Sequence, residues 1–75
     1  EINQAKWQLN FSGNLMVVHT PPGYASIVAY DVDNIKHPFF LGTVAGDDTV
    51  IVVLAEGVDR EEAANVARNI IPKLR

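Results

Sequence analysis

Leu41-Gly42-Thr43-Val44-Ala45-Gly46-Asp47-Asp48-Thr49-Val50-Ile51-Val52-Val53-Leu54-Ala55 sets two adjacent acids between two apolar stretches. Residues 39–45 and 49–55 have the β-branched and aromatic make-up of paired strands, and Gly46-Asp47-Asp48-Thr49 has that of the turn joining them. An ionised carboxylate costs on the order of several kcal/mol to bury unpaired, so each acid must face water or meet a cation. A solvated turn would explain four such residues taken alone. The rest of the chain decides whether they do more.

Upstream, Ala5, Trp7, Leu9 and Phe11 alternate with Lys6, Gln8 and Asn10, the period of a strand with one buried face. Ser12-Gly13-Asn14 signals a turn, and residues 15–19 follow as an apolar strand with neither face suited to water. Thr20-Pro21-Pro22-Gly23 stops the sheet and starts a helix, since proline is tolerated in the first turn. Ala25, Val28, Ala29, Val32 and Ile35 form its apolar stripe, and His37-Pro38 ends it. Beyond the acidic hairpin, Glu56-Gly57 breaks the strand and Asp59 with Glu62 resembles a capping box. Ala63, Val66, Ala67, Ile70 and Leu74 make the stripe of a second helix, with Pro72 in its last turn.

The order is β-β-α-β-β-α, which predicts an α+β, two-layer α/β sandwich with helices on one face of a mixed sheet. Residues 15–18 and 50–54 are apolar at odd and even positions alike, so the other sheet face also needs cover. A second copy of the chain supplies it most simply.

Composition supports that need. A chain of 75 residues buries a small core, and this one has no cysteine for disulfides or thiolate metal ligands. With 48% hydrophobic against 20% charged residues, oligomerisation is the remaining common source of stability. A net charge of −3 and six dispersed bases argue against nucleic-acid binding by this segment, because phosphate neutralisation needs clustered Lys and Arg. No signal peptide is visible, and the longest apolar run, residues 50–55, is far short of the roughly 20 residues that span a bilayer. The chain reads as cytoplasmic, with no membrane partner, and Asn10-Phe11-Ser12 as a chance sequon.

Catalytic and metal motifs fail in turn. Asp31-Val32-Asp33 begins like a calcium loop but has Ile35 and Lys36 where a ligand and glycine are required. His19 and His37 are too isolated for zinc, and Ser12 and Ser26 lie in no nucleophile elbow. Trp7, Phe11, Phe39 and Phe40 lack the basic groove of a single-strand binder and serve packing instead. Neither an enzyme nor a metal site emerges. The acidic turn suits a guanidinium or ammonium ligand, because a carboxylate accepts two parallel hydrogen bonds from a guanidinium fork, and Asp33 could add a third carboxylate.

His19-Thr20-Pro21-Pro22-Gly23-Tyr24-Ala25, Asp33, and residues 41–49 together resemble the C-terminal domain of the bacterial arginine repressor, over roughly residues 14–71. The resemblance implies a trimer with sheet faces packed together, and two trimers joined into a hexamer. L-arginine would be the corepressor, bound between trimers, with no other cofactor. Residues 1–75 would be the arginine-binding and oligomerisation domain. A winged helix-turn-helix domain, absent from this chain, would precede it and bind operator DNA of arginine-metabolism genes.

Carried over by position, Asp47 and Asp48 match the family's paired acids, one engaging ligand within the trimer and one reaching ligand held by the opposing trimer. Asp33 matches an acid serving the amino-acid end. Ala45 would line the pocket through its backbone, with Thr49 flanking it. Ser26 stands where several members carry a longer polar side chain, often Gln, so its contact would run through water. The competing expectation is a ligand-independent oligomerisation module. A small dehydratase of similar fold would need a histidine cluster that His19 and His37 do not form.

Overall fold

The computed structural model describes residues 7–74, and its elements follow the expected order. They are β1 (Gln8–Ser12), β2 (Leu15–His19), α1 (Ala25–Ile35), β3 (Phe40–Ala45), β4 (Thr49–Leu54) and α2 (Arg60–Ile70). Leu9 and Phe11 of β1 stand opposite Val18 and Met16 and pack on the core, while Gln8, Asn10 and Ser12 are exposed. Ala5 and Lys6, the first positions of that alternation, lie outside the described residues. Ser12 belongs to the strand, leaving a two-residue turn in which Gly13 takes the left-handed φ of 57° that glycine adopts without steric cost.

The sheet order is β1-β2-β4-β3, and all three pairings are antiparallel. The expected mixed sheet is thereby corrected. β2 and β3, joined through α1, do run in the same direction, but β4 inserts between them and makes each neighbouring pair antiparallel.

Met16 and Val18 from β2 and Val50, Val52 and Leu54 from β4 meet Ala25, Val28, Ala29 and Val32 of α1 and Ala63 and Ala67 of α2. Two ends of the predicted stripes differ. Ile35 is 55% exposed, because α1 stops there and Lys36 turns the chain away in a left-handed conformation. The second helix ends at Ile70, so Pro72 lies beyond its last turn, as its missing N–H demands. Leu74 is nevertheless buried, brought back by a turn in which its N–H donates to the Ile71 carbonyl at 2.9 Å. The predicted cap holds: Glu62 N–H donates to Asp59 Oδ2 at 3.1 Å.

Within one protomer the other face of the sheet is left uncovered by the helices. The register aligns Asn10, Val17, Ile51 and Val44 in one row and Ser12, Leu15, Val53 and Gly42 in the next. Val17 and Leu15 are half-buried, and Val44 is 67% exposed.

Candidate functional site

The Thr20-Pro21-Pro22-Gly23 loop and the acidic turn fold against one another. Pro21 and Pro22 carry no N–H, which leaves the backbone donors of Thr20, Gly23 and Tyr24. Thr20 N–H donates to the Asp48 carbonyl at 2.8 Å, Gly23 N–H to the Asp47 carbonyl at 2.9 Å, and Tyr24 N–H to the Pro21 carbonyl at 3.2 Å. Gly23 has a φ of 87°, so glycine is needed to aim its N–H in this way. The loop is further fixed by Thr20, which is buried and donates its hydroxyl to the Pro21 carbonyl at 2.8 Å.

The acidic turn is closed by Gly46 N–H donating to the Thr49 carbonyl at 2.7 Å. With their carbonyls engaged by the loop, Asp47 and Asp48 turn exposed carboxylates to solvent. Thr49 Oγ1 donates to Asp48 Oδ1 at 3.0 Å and orients that carboxylate; Asp47 has no such restraint among the described residues. Ala45, at the end of β3, is exposed one residue before the turn.

Asp33 and Ser26 approach from α1. Asp33 Oδ2 accepts a hydrogen bond from Thr43 Oγ1 at 3.0 Å, which ties the last turns of the helix to β3 two residues from Ala45. Ser26 is exposed near the N-terminus of α1, three residues after the Gly23 that holds Asp47. The fold thus carries Ala45, Asp47, Asp48 and Thr49 on one hairpin, with Ser26 three residues after the Gly23 that bonds to it and Asp33 tied to β3 at Thr43. Sequence reasoning passed over Thr43 as an orienting group. Its partner lies ten positions away on another element, and no local periodicity reports such a pair.

A hollow of about 410 Å³ lies between β1 and the end of α2, lined by Trp7, Leu9, Arg68 and Leu74 among others, and it contains none of these acids. Trp7 meets Tyr24 edge-on at 6.1 Å between ring centroids, in keeping with a packing role. Among the described residues no cluster of three or more His, Cys, Asp or Glu is placed to hold a metal ion. No described helix is long and apolar enough to cross a membrane.

Residues 2–69 match the family described as arginine repressor, C-terminal domain. The arginine repressor of Bacteroides thetaiotaomicron is 50% identical over 66 residues, covering 88% of this chain and 42% of that protein. That of Phocaeicola vulgatus is 48% identical over 67 residues, covering 89% of this chain and 42% of the relative. That of Bacteroides fragilis is 45% identical over 73 residues, covering 97% of this chain and 46% of the relative. The chain therefore spans a little under half the length of the curated relatives it matches. These relatives are repressors rather than enzymes, and by family match and identity alike the chain belongs to the arginine repressor C-terminal domain family.

Proposed function

We propose that this domain senses L-arginine for a transcriptional regulator of arginine metabolism and couples ligand to assembly. The observation that carries the reading is the division of labour at Asp47 and Asp48: their carbonyls are held by Gly23 and Thr20, and their carboxylates face solvent, that of Asp48 oriented by Thr49. A guanidinium fork matches that pair in charge and in donor geometry. Asp33 receives the α-ammonium, the Ala45 backbone lines the site, Thr49 orients Asp48, and Ser26 reaches the ligand through water.

Assembly begins at the open sheet face, where Val17, Ile51, Val44, Leu15 and Val53 offer an apolar surface suited to packing three copies together. Two trimers then meet with arginine between them, one acid of each pair serving its own trimer's ligand and the other the ligand of the opposing trimer. Arginine stabilises the hexamer by mass action, and linkage carries that preference to a DNA-binding winged helix-turn-helix domain of the parent protein, acting in the cytoplasm.

Calorimetric titration of L-arginine, with uncharged L-citrulline as control, tests the ligand. Saturable binding of arginine alone is expected. Asp48→Asn should weaken it by about 1 kcal/mol or more, on the scale of a charge-assisted hydrogen bond, while leaving the trimer intact. Unchanged affinity in that variant removes the carboxylate from the site. Silence with both ligands, in assembled protein, selects the alternative favoured by the exposed apolar sheet face: a ligand-independent oligomerisation module.

A further inference from the structure

β1 forms one edge of the sheet, and no described strand pairs with its outer side. Which backbone groups lie on that side follows from the turn that ends the strand. Leu54 N–H donates to the Asn14 carbonyl, so Asn14 points its backbone at β4 and, by alternation, Leu15, Val17 and His19 point theirs at β1. Those three stand opposite Ser12, Asn10 and Gln8. The N–H and C=O groups of Leu9 and Phe11 therefore face outward along the open edge. Edge strands ordinarily carry a charge, a proline or a bulge that blocks further pairing. β3, the other edge, has such an irregularity between Phe40 and Gly42, whereas Gln8–Ser12 has none of the three.

The flank of that edge is complementary to itself. The hollow between β1 and the end of α2 is lined by Gln8 and Asn10 from one face of the strand and by Leu9 from the other, so it runs along the free edge. α2 lies antiparallel to β1. Arg60 at its start donates to the Gly13 carbonyl at 3.4 Å and sits 6.0 Å from the centre of the Phe11 ring, while Arg68 at its end lines the hollow beside Leu9. Ala64, midway between the two arginines, is thus level with Asn10, the middle of the strand. Glu61 and Arg68, seven residues apart on one exposed face of the helix, set opposite charges on either side of that level. Neither side chain makes a hydrogen bond or ion pair among the described residues.

We propose that two copies of the chain join edge to edge through β1, antiparallel about a two-fold axis at Asn10. Leu9 then exchanges N–H···O=C bonds with Phe11 of the partner subunit, Phe11 does so with the partner's Leu9, and two four-stranded sheets continue as one. The half-buried side chains of Leu9 and Phe11 cover one another across the axis. Beside them the two α2 helices run antiparallel, and each Arg68 meets the partner's Glu61. Exposed pairs add little strength, so this exchange fixes register and orientation instead. The sheet grows in its own plane, which leaves its open face and the acidic turn free for the contacts proposed above. A strand of five residues makes a small, transient interface, one that links copies already gathered by other surfaces.

The chain has no cysteine, so one introduced thiol reports the axis by disulfide capture. At an antiparallel pair that exchanges no hydrogen bonds the Cα atoms are about 4.5 Å apart, within the range a disulfide spans. Asn10→Cys should therefore oxidise to a covalent dimer about tenfold faster than Gln8→Cys. Gln8 is also exposed on β1, but its two copies would lie roughly 13 Å apart along the strands. Both replaced side chains are exposed, and circular dichroism confirms that the variants compared are folded. Adding Arg68→Glu to Asn10→Cys should slow capture about fivefold, and adding Glu61→Arg as well should restore it, since the reversed pair attracts again. Equal rates for Asn10→Cys and Gln8→Cys overturn the proposal, as does capture that is indifferent to both charge changes.

Discussion

Asp33 is held by a hydroxyl ten residues further along the chain, and that single bond ties the last turns of α1 to β3. Thr43→Val keeps the shape of the side chain and removes the donor. Because Asp33 is exposed, protein stability should change by less than about 0.5 kcal/mol. Arginine affinity should fall by roughly 1 kcal/mol, or about fivefold, the net worth of one hydrogen bond. Titration beside a thermal melt separates the two effects, and an unaltered affinity would show that Asp33 needs no help from β3. At this scale the sequence was legible where neighbours in space are neighbours in the chain. Asp47 and Asp48 declare themselves by adjacency. Asp33 does not, because its bond to Thr43 exists only once the end of α1 lies against β3.

Elements divide by how they begin. α2 starts on its own chemistry: Asp59 caps Glu62 N–H, and Glu61 and Glu62 lie in the positive first turn. Its start was accordingly readable from composition. α1 has Tyr24 at its N-cap and no side-chain cap, and what fixes it is the loop whose donors reach the acidic turn. The sequence placed that start at the prolines, several residues early, because the bonds that set it are tertiary. Asp59→Ala should therefore cost about 1 kcal/mol and lower the melting temperature by roughly 4–8 °C in a domain of this size. Far-UV circular dichroism on heating checks it. A loss well below that range would mean that α2 is held by Ala63, Ala67 and Ile71 alone. Since Asp59 is no part of the acidic turn, arginine affinity in the folded variant should be unaltered.

On the scale of the whole molecule, the element order was legible but the sheet was not. Hairpin signals reveal which strands are consecutive, whereas the insertion of β4 between β2 and β3 is a long-range choice made by core packing. The sequence predicts a need for a partner, and the make-up of the core adds a physical argument for it. The largest fully buried side chains are Met16 and Leu54, the rest of that set is valine, and Trp7, Phe11, Phe39 and Phe40 are only partly covered. A core of such small side chains yields few kcal/mol of net stability, so folding and assembly should be coupled. Two measurements follow from that coupling. The melting temperature should rise with protein concentration, as mass action requires of an assembly that stabilises its subunits. Ile51→Asp should abolish that rise. Ile51 is 38% exposed and flanked by Val17 and Val44 on the open face, so a carboxylate there meets water in the protomer but would lie unpaired between packed sheets. Sedimentation should then give a monomer with native circular dichroism at low temperature. If Ile51→Asp sediments as the unaltered chain does, the copies associate through some other surface, and the open face must be covered by a different partner.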